Sequence, residues 1–135
     1  MKLIQKIKIY LFTLTTLLVI DGLWLNVFSG HLYKTNLNKH LSSSPNLLAG
    51  LIFYLIYAFA IDYLVVFDEI EKPKFKRALF KALVIGIAAY STFDLTGEAV
   101  FKNWPTLVSM IDIAWGSTVT ILTAYLTINI FKSKK

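Results

Sequence analysis

The chain has 135 residues, 56% of them hydrophobic, with a net charge of +6 and a mean hydropathy of +0.62. That is too apolar for an ordinary soluble domain, where about 45–50% is usual. It is long enough for about four spanning helices of roughly 20 residues in one domain, 1–135, with no appended soluble catalytic domain. The chain has no cysteine, which excludes disulfides, thiolate catalysis and Cys-ligated metal centres; its basic residues sit at segment ends rather than in an aromatic-laced patch, which argues against nucleic acid as a partner.

The first apolar segment, about 9–28, follows a basic start that resembles a signal peptide. No small-x-small cleavage site is present, and Asp21 and Trp24 stand where it would fall, so a retained helix is expected. A polar connection, 29–46, carries His31 and His40, whose spacing matches no metal motif, and ends in a Ser-Pro-Asn run that reads as a helix cap. The second segment, about 47–67, leads into a charged connection with Pro73. The third, about 79–101, and the fourth, about 107–131, flank a tight turn at Lys102-Asn103-Trp104-Pro105 and should form an antiparallel hairpin. The expected fold is all-α: a four-helix transmembrane bundle.

Lysine and arginine distribute unequally between the two ends. Eleven fall with the termini and the central connection, and three (Lys34, Lys39 and Lys102) fall on the other side. The positive-inside rule then places both termini in the cytoplasm, in a multi-pass protein of the cytoplasmic membrane whose constant partner is the lipid bilayer.

Asp21, Asp94, Glu98 and Asp112 interrupt these segments, with no basic residue in the membrane to pair them. Such residues are costly in hydrocarbon and mark functional sites by default. Asp94 and Asp112 are each nine residues from Asn103, so an antiparallel hairpin brings them level. Asp21 lies thirteen residues past Lys8 and Asp94 thirteen past Lys81, which places all three aspartates in one layer of the outer half of the membrane. Glu98 shares a face with Asp94 one turn nearer the surface. Ser109, Asp112, Gly116, Thr120, Thr123 and Thr127 make one polar stripe on the fourth helix, which should face the bundle interior. Asp62 is expected near the cytoplasmic interface, in reach of water. Tyr33, Tyr63 and Trp104 fit the aromatic belts at the membrane boundary.

Asp-x-x-Trp occurs in both the first and the fourth helix, at Asp21–Trp24 and Asp112–Trp115, and Tyr90 precedes Asp94 by one turn. Three carboxyls in a low-dielectric layer cannot all ionise, and their protons belong to the group. A neutral acid then stands beside a charged base, as general acid–base chemistry requires. The same set also suits a proton- or cation-coupled site.

The elements Tyr90-Ser-Thr-Phe-Asp94-Leu-Thr96-Gly97, Trp104-Pro105 and Ile111-Asp112-Ile-Ala-Trp115-Gly116 resemble the signature of a bacterial membrane family, domain of unknown function 2177. Asp21-x-x-Trp24-Leu25, Tyr33 and Phe53-Tyr54 extend the resemblance over nearly the whole chain, with Gly97 where the family tends to show Asn. The resemblance implies four helices and no settled activity.

The leading expectation is a membrane enzyme acting on a lipid or isoprenoid-like molecule. Asp21, Asp94 and Asp112 would do acid–base work, and Trp24, Tyr54, Tyr90, Thr96, Glu98 and Trp115 would contact the substrate. A proton- or cation-coupled transporter acting as a homodimer is the alternative, and a non-enzymatic membrane assembly protein the second. No cofactor or metal is read from the sequence.

Overall fold

The computed structural model describes residues 1–39 and 41–133, together with the side chains of all of them except Phe28; His40, Lys134 and Lys135 lie outside the described residues. The helices are α1 (Leu3–Leu23), α2 (Ser29–Leu37), α3 (Leu47–Ile61), α4 (Phe67–Glu69), α5 (Phe75–Val100) and α6 (Thr106–Phe131). Single π-helical turns join α1 to α2 (Trp24–Phe28) and α3 to α4 (Asp62–Val66). Four stretches are long and apolar enough to cross a membrane: Leu3–Val27, Leu47–Glu69, Phe75–Val100 and Thr106–Phe131. The protein is therefore a four-helix membrane bundle. Its outward faces carry exposed side chains such as Ile4, Leu18, Ile56, Phe80, Met110 and Ile130, which suit lipid contact.

The connection expected at 29–46 is shorter than its polarity suggests, because the first helix continues as α2 to Leu37. Ser29 and Leu37 are its buried positions, and they hold a polar helix against the end of the bundle. Asn46 then caps α3 by accepting from the Ala49 amide at 3.1 Å.

α6 is the central rod. α5 packs along it as the hairpin partner, α1 packs on its other side, and α3 packs on α1. Small residues set the closest approach. A Cβ on Gly86 would stand 2.6 Å from the Ser117 Cα and 2.8 Å from the Gly116 carbonyl oxygen, so the α5 and α6 backbones touch there. The expected stripe on α6 faces inward throughout: Ser109, Asp112, Gly116, Thr120, Thr123 and Thr127 are all buried. Thr120 and Thr127 bond back to carbonyls one turn earlier, at 2.6 and 2.8 Å, which satisfies their hydroxyls in a water-poor interior. Asn103 turns the hairpin at φ 60°, a left-handed conformation that Asn tolerates better than most side chains.

At the end carrying the termini, buried Glu69 accepts from the Lys74 amide at 2.6 Å and pairs with Arg77 at 2.6 Å. This carboxylate closes the loop into α5 and supplies the acceptor that the first turn of a helix needs. The Ser133 amide bonds the Ile70 carbonyl at 3.0 Å, which ties the end of α6 to the same loop.

Candidate functional site

The π turn after Asp21 sets the geometry of the site. At about 100° per residue, a regular helix would turn Tyr33 about 120° away from Asp21. A π turn absorbs one extra residue, which leaves about 20° between them. Asp21, Ser29 and Tyr33 thereby share one face. Side chains stabilise the distortion: Asn26 donates to the Gly22 carbonyl at 2.7 Å, and the Ser29 hydroxyl donates to the Trp24 carbonyl at 3.1 Å.

Asp21 is 5% exposed and receives two donors. The Tyr54 hydroxyl of α3 bonds Oδ2, and the Trp115 indole N–H of α6 bonds Oδ1 at 2.7 Å. Trp115 also stacks on Trp24, with ring centroids 4.4 Å apart and planes within 8°. The two Asp-x-x-Trp elements, on antiparallel helices, therefore meet.

Asp112, 8% exposed, accepts from the Tyr33 hydroxyl at Oδ1. Its carboxyl also faces that of Asp94 across the α5–α6 hairpin, as the equal spacing from Asn103 requires. Asp94 is fully buried, and neither of its oxygens has a hydrogen-bond partner among the described residues.

A cavity of about 300 Å³ opens beside these groups. Asp21 and Asp112 form its polar wall, and Trp24, Tyr33, Tyr54 and Tyr90 its aromatic walls. Leu25, Phe53 and Phe93 lie at its rim and are 42%, 43% and 62% exposed on the outer face of the bundle. α5 packs against the π turn of residues 62–66 but hardly against α3, so the two helices part above that turn. The slot between Phe53 and Phe93 therefore faces the lipid side.

Of the residues singled out in the sequence, Asp21, Asp112, Trp24, Tyr54 and Tyr90 line the cavity, and Asp94 and Trp115 stand directly behind its wall. Thr96 and Glu98 do not line it. Thr96 points outward and bonds the Thr92 carbonyl of its own helix, and Glu98 accepts from Thr106 at 2.5 Å across the hairpin mouth. Tyr33, expected in the aromatic belt, instead reaches the acid layer because the π turn rotates it inward. His31 is exposed and lies near Thr35 on its own helix, away from the acids.

Asp62, expected at the interface in reach of water, is fully buried. It accepts from the Thr13 hydroxyl at 2.6 Å, because α1 and α6 pack over this end of the second helix. Among the described residues, no group of three or more His, Asp or Glu side chains is arranged to hold a metal ion.

Tyr33 lies outside the spanning segments, and burial, followed by its bond to the Asp112 carboxylate, pushes its hydroxyl well above the ordinary tyrosine value. A group raised in the folded state supports folding below its unfolded value and loses that support as pH rises. Stability in nanodiscs should therefore fall above about pH 10. Tyr33→Phe should lie lower at neutral pH and flatter through the alkaline range. Equal alkaline slopes for the two proteins would refute this.

Residues 6–129 match a family described as "Predicted membrane protein (DUF2177)", and the chain belongs to that family. No curated protein and no solved structure matches the chain.

Proposed function

We propose that this member of the DUF2177 family is an acid–base catalyst of the cytoplasmic membrane. Its substrate would be the polar end of a lipid or isoprenoid-like molecule that enters between α3 and α5. The observation that carries this reading is a cavity of about 300 Å³ with carboxyls on its inner wall and lipid-facing Phe53 and Phe93 at its mouth. That volume is at the small end for a ligand pocket; it suits a head group whose apolar tail stays outside in the bilayer.

The hydrogen bonds suggest a division of labour. Asp21 takes two donors, which suits a carboxylate, an acceptor at both oxygens. It is the candidate base, or the counter-charge to a positive centre that develops in the reaction. The Asp94–Asp112 pair, with a shared proton, is the candidate acid, and Tyr33 steadies Asp112 from the far side. Trp24, Trp115, Tyr54 and Tyr90 would shape the pocket. The lysine and arginine asymmetry supports termini in the cytoplasm, which would put the cavity toward the outer leaflet.

The test is the lipid profile of cells that lack the protein and are complemented with wild type, Asp94→Asn or Asp112→Asn. Both substitutions keep the side-chain shape and remove the shared acidic proton. They should reproduce the lipid change of the deletion, while circular dichroism of the purified proteins stays that of wild type. An unchanged lipid composition in the deletion and in both variants would overturn the proposal.

A further inference from the structure

The second helix carries a buried acid that the cavity does not use. Asp62 is fully buried, and its Oδ2 has no hydrogen-bond partner among the described residues. The two ion pairs among those residues, Arg77–Glu69 and Lys81–Asp68, leave Asp62 out. The groups that face it are hydroxyls. From α1, Thr13 donates to Oδ1 at 2.6 Å. Thr13 also lies 3.3 Å from Thr127 of α6. One turn up α6, Thr123 is fully buried with a hydroxyl that has no partner among the described residues. α5 presents Ala78 and Ala82 to this part of the core, and no charge from it reaches Asp62.

An isolated carboxylate in such surroundings is costly, and a bound proton removes the charge. Asp62, Thr13 and Thr127 form a short hydrogen-bonded chain rather than an ion's coordination shell, and the unpartnered hydroxyl of Thr123 stands between it and Thr120. The chain has a direction. Toward the termini, Ile9, Val65, Val66 and Ile128 are all fully buried and seal Asp62 from the loop that holds Glu69. Toward the cavity, Thr127, Thr123, Thr120, Gly116 and Asp112 share one face of α6 over about 22 Å. Thr120 bonds the Tyr57 hydroxyl at 2.6 Å, and the Tyr57 ring lies 6.2 Å from that of Tyr90, which lines the cavity.

We propose that Asp62 is a proton-binding site, a store that exchanges with the acid cavity along the hydroxyl face of α6 and Tyr57 and is closed toward the termini. Each transfer moves one proton from a carboxyl or hydroxyl oxygen to the next acceptor oxygen, with a second proton leaving that group onward, so charge and atoms balance at every step. The proposal does not depend on what the cavity binds.

Infrared spectroscopy of the full chain in nanodiscs tests it. A protonated-carboxyl C=O band that persists in Asp94→Asn and Asp112→Asn should be present in wild type and missing in Asp62→Asn. On transfer to heavy water this band should shift about tenfold more slowly in Thr120→Val and Tyr57→Phe than in wild type, as expected for a lost link in a relay. Thr118→Val, on the exposed face of α6, should exchange at the wild-type rate. Circular dichroism on the same samples reports folding, and Thr123→Val replaces either relay variant that fails it. The absence of a band assignable to Asp62, or equal exchange rates in wild type and the relay variants, would overturn the proposal.

Discussion

Gly116→Ala is expected to be the most damaging single-methyl change in the molecule. A Cβ at this position would fall inside the ring of Tyr90, against three of its carbons at once. Relief by backbone movement would have to part α5 from α6 where Gly86 meets Gly116 and Ser117, and that forfeits their closest packing. The ring must move instead, and the free volume open to it is the cavity that it lines. Overpacking of this kind costs about 1–3 kcal/mol. The variant should therefore melt lower in nanodiscs and also lose ligand access, although every carboxyl is intact. Because the three nearest atoms all belong to Tyr90, Tyr90→Ala in the same chain should restore much of the lost stability, a non-additivity expected of contacting residues. Melting losses that simply add in the double variant would refute the stated cause.

The helices and the acid layer were legible in the sequence for different reasons. Hydropathy marks the spans because each is nearly continuous in apolar residues. The meeting of Asp94 and Asp112 follows from counting, because a tight turn at Asn103 fixes both flanks of a hairpin. The stripe on α6 is legible because its period matches the helix. What escaped is what periodicity does not record. One extra residue in a π turn leaves the hydropathy of the first segment unchanged, yet it rotates Tyr33 from the surface onto Asp112. The bonds that mark this turn, Asn26 to Gly22 and Ser29 to Trp24, are local, and Asn26 four residues after Gly22 was the available hint. Asp62 escaped because its depth was measured along its own helix. Its burial is set by Thr13 and Thr127 on other helices, and no single segment contains that information. The place of Phe53 and Phe93 at the cavity mouth was not legible, for the opposite reason. Each looks like any lipid-facing aromatic, and their significance comes from the parting of α3 and α5 between them.

Substitution of Asp21 should separate structure from chemistry. The indole N–H of Trp115 can only donate, so it needs an acceptor wherever it is buried. The Tyr54 hydroxyl can donate or accept. An amide at position 21 meets both demands: its carbonyl can take the Trp115 N–H, and its NH₂ can donate to Tyr54. Asp21→Asn should therefore melt close to wild type and keep the Trp24–Trp115 stack, which tryptophan fluorescence reports. Asp21→Leu offers no acceptor. It strands the indole N–H at a cost of about 1–3 kcal/mol, and Trp115→Phe in the same chain should recover part of that loss by removing the stranded donor. If Asp21 supplies the base, the well-folded Asn variant should lose about 10²–10⁴ in turnover, as the loss of a general base does. The deletion's lipid change should then persist in cells that carry it. A well-folded, fully complementing Asp21→Asn would leave Asp21 as a bracket for Trp115 and Tyr54, and would confine the acid–base role to Asp94 and Asp112.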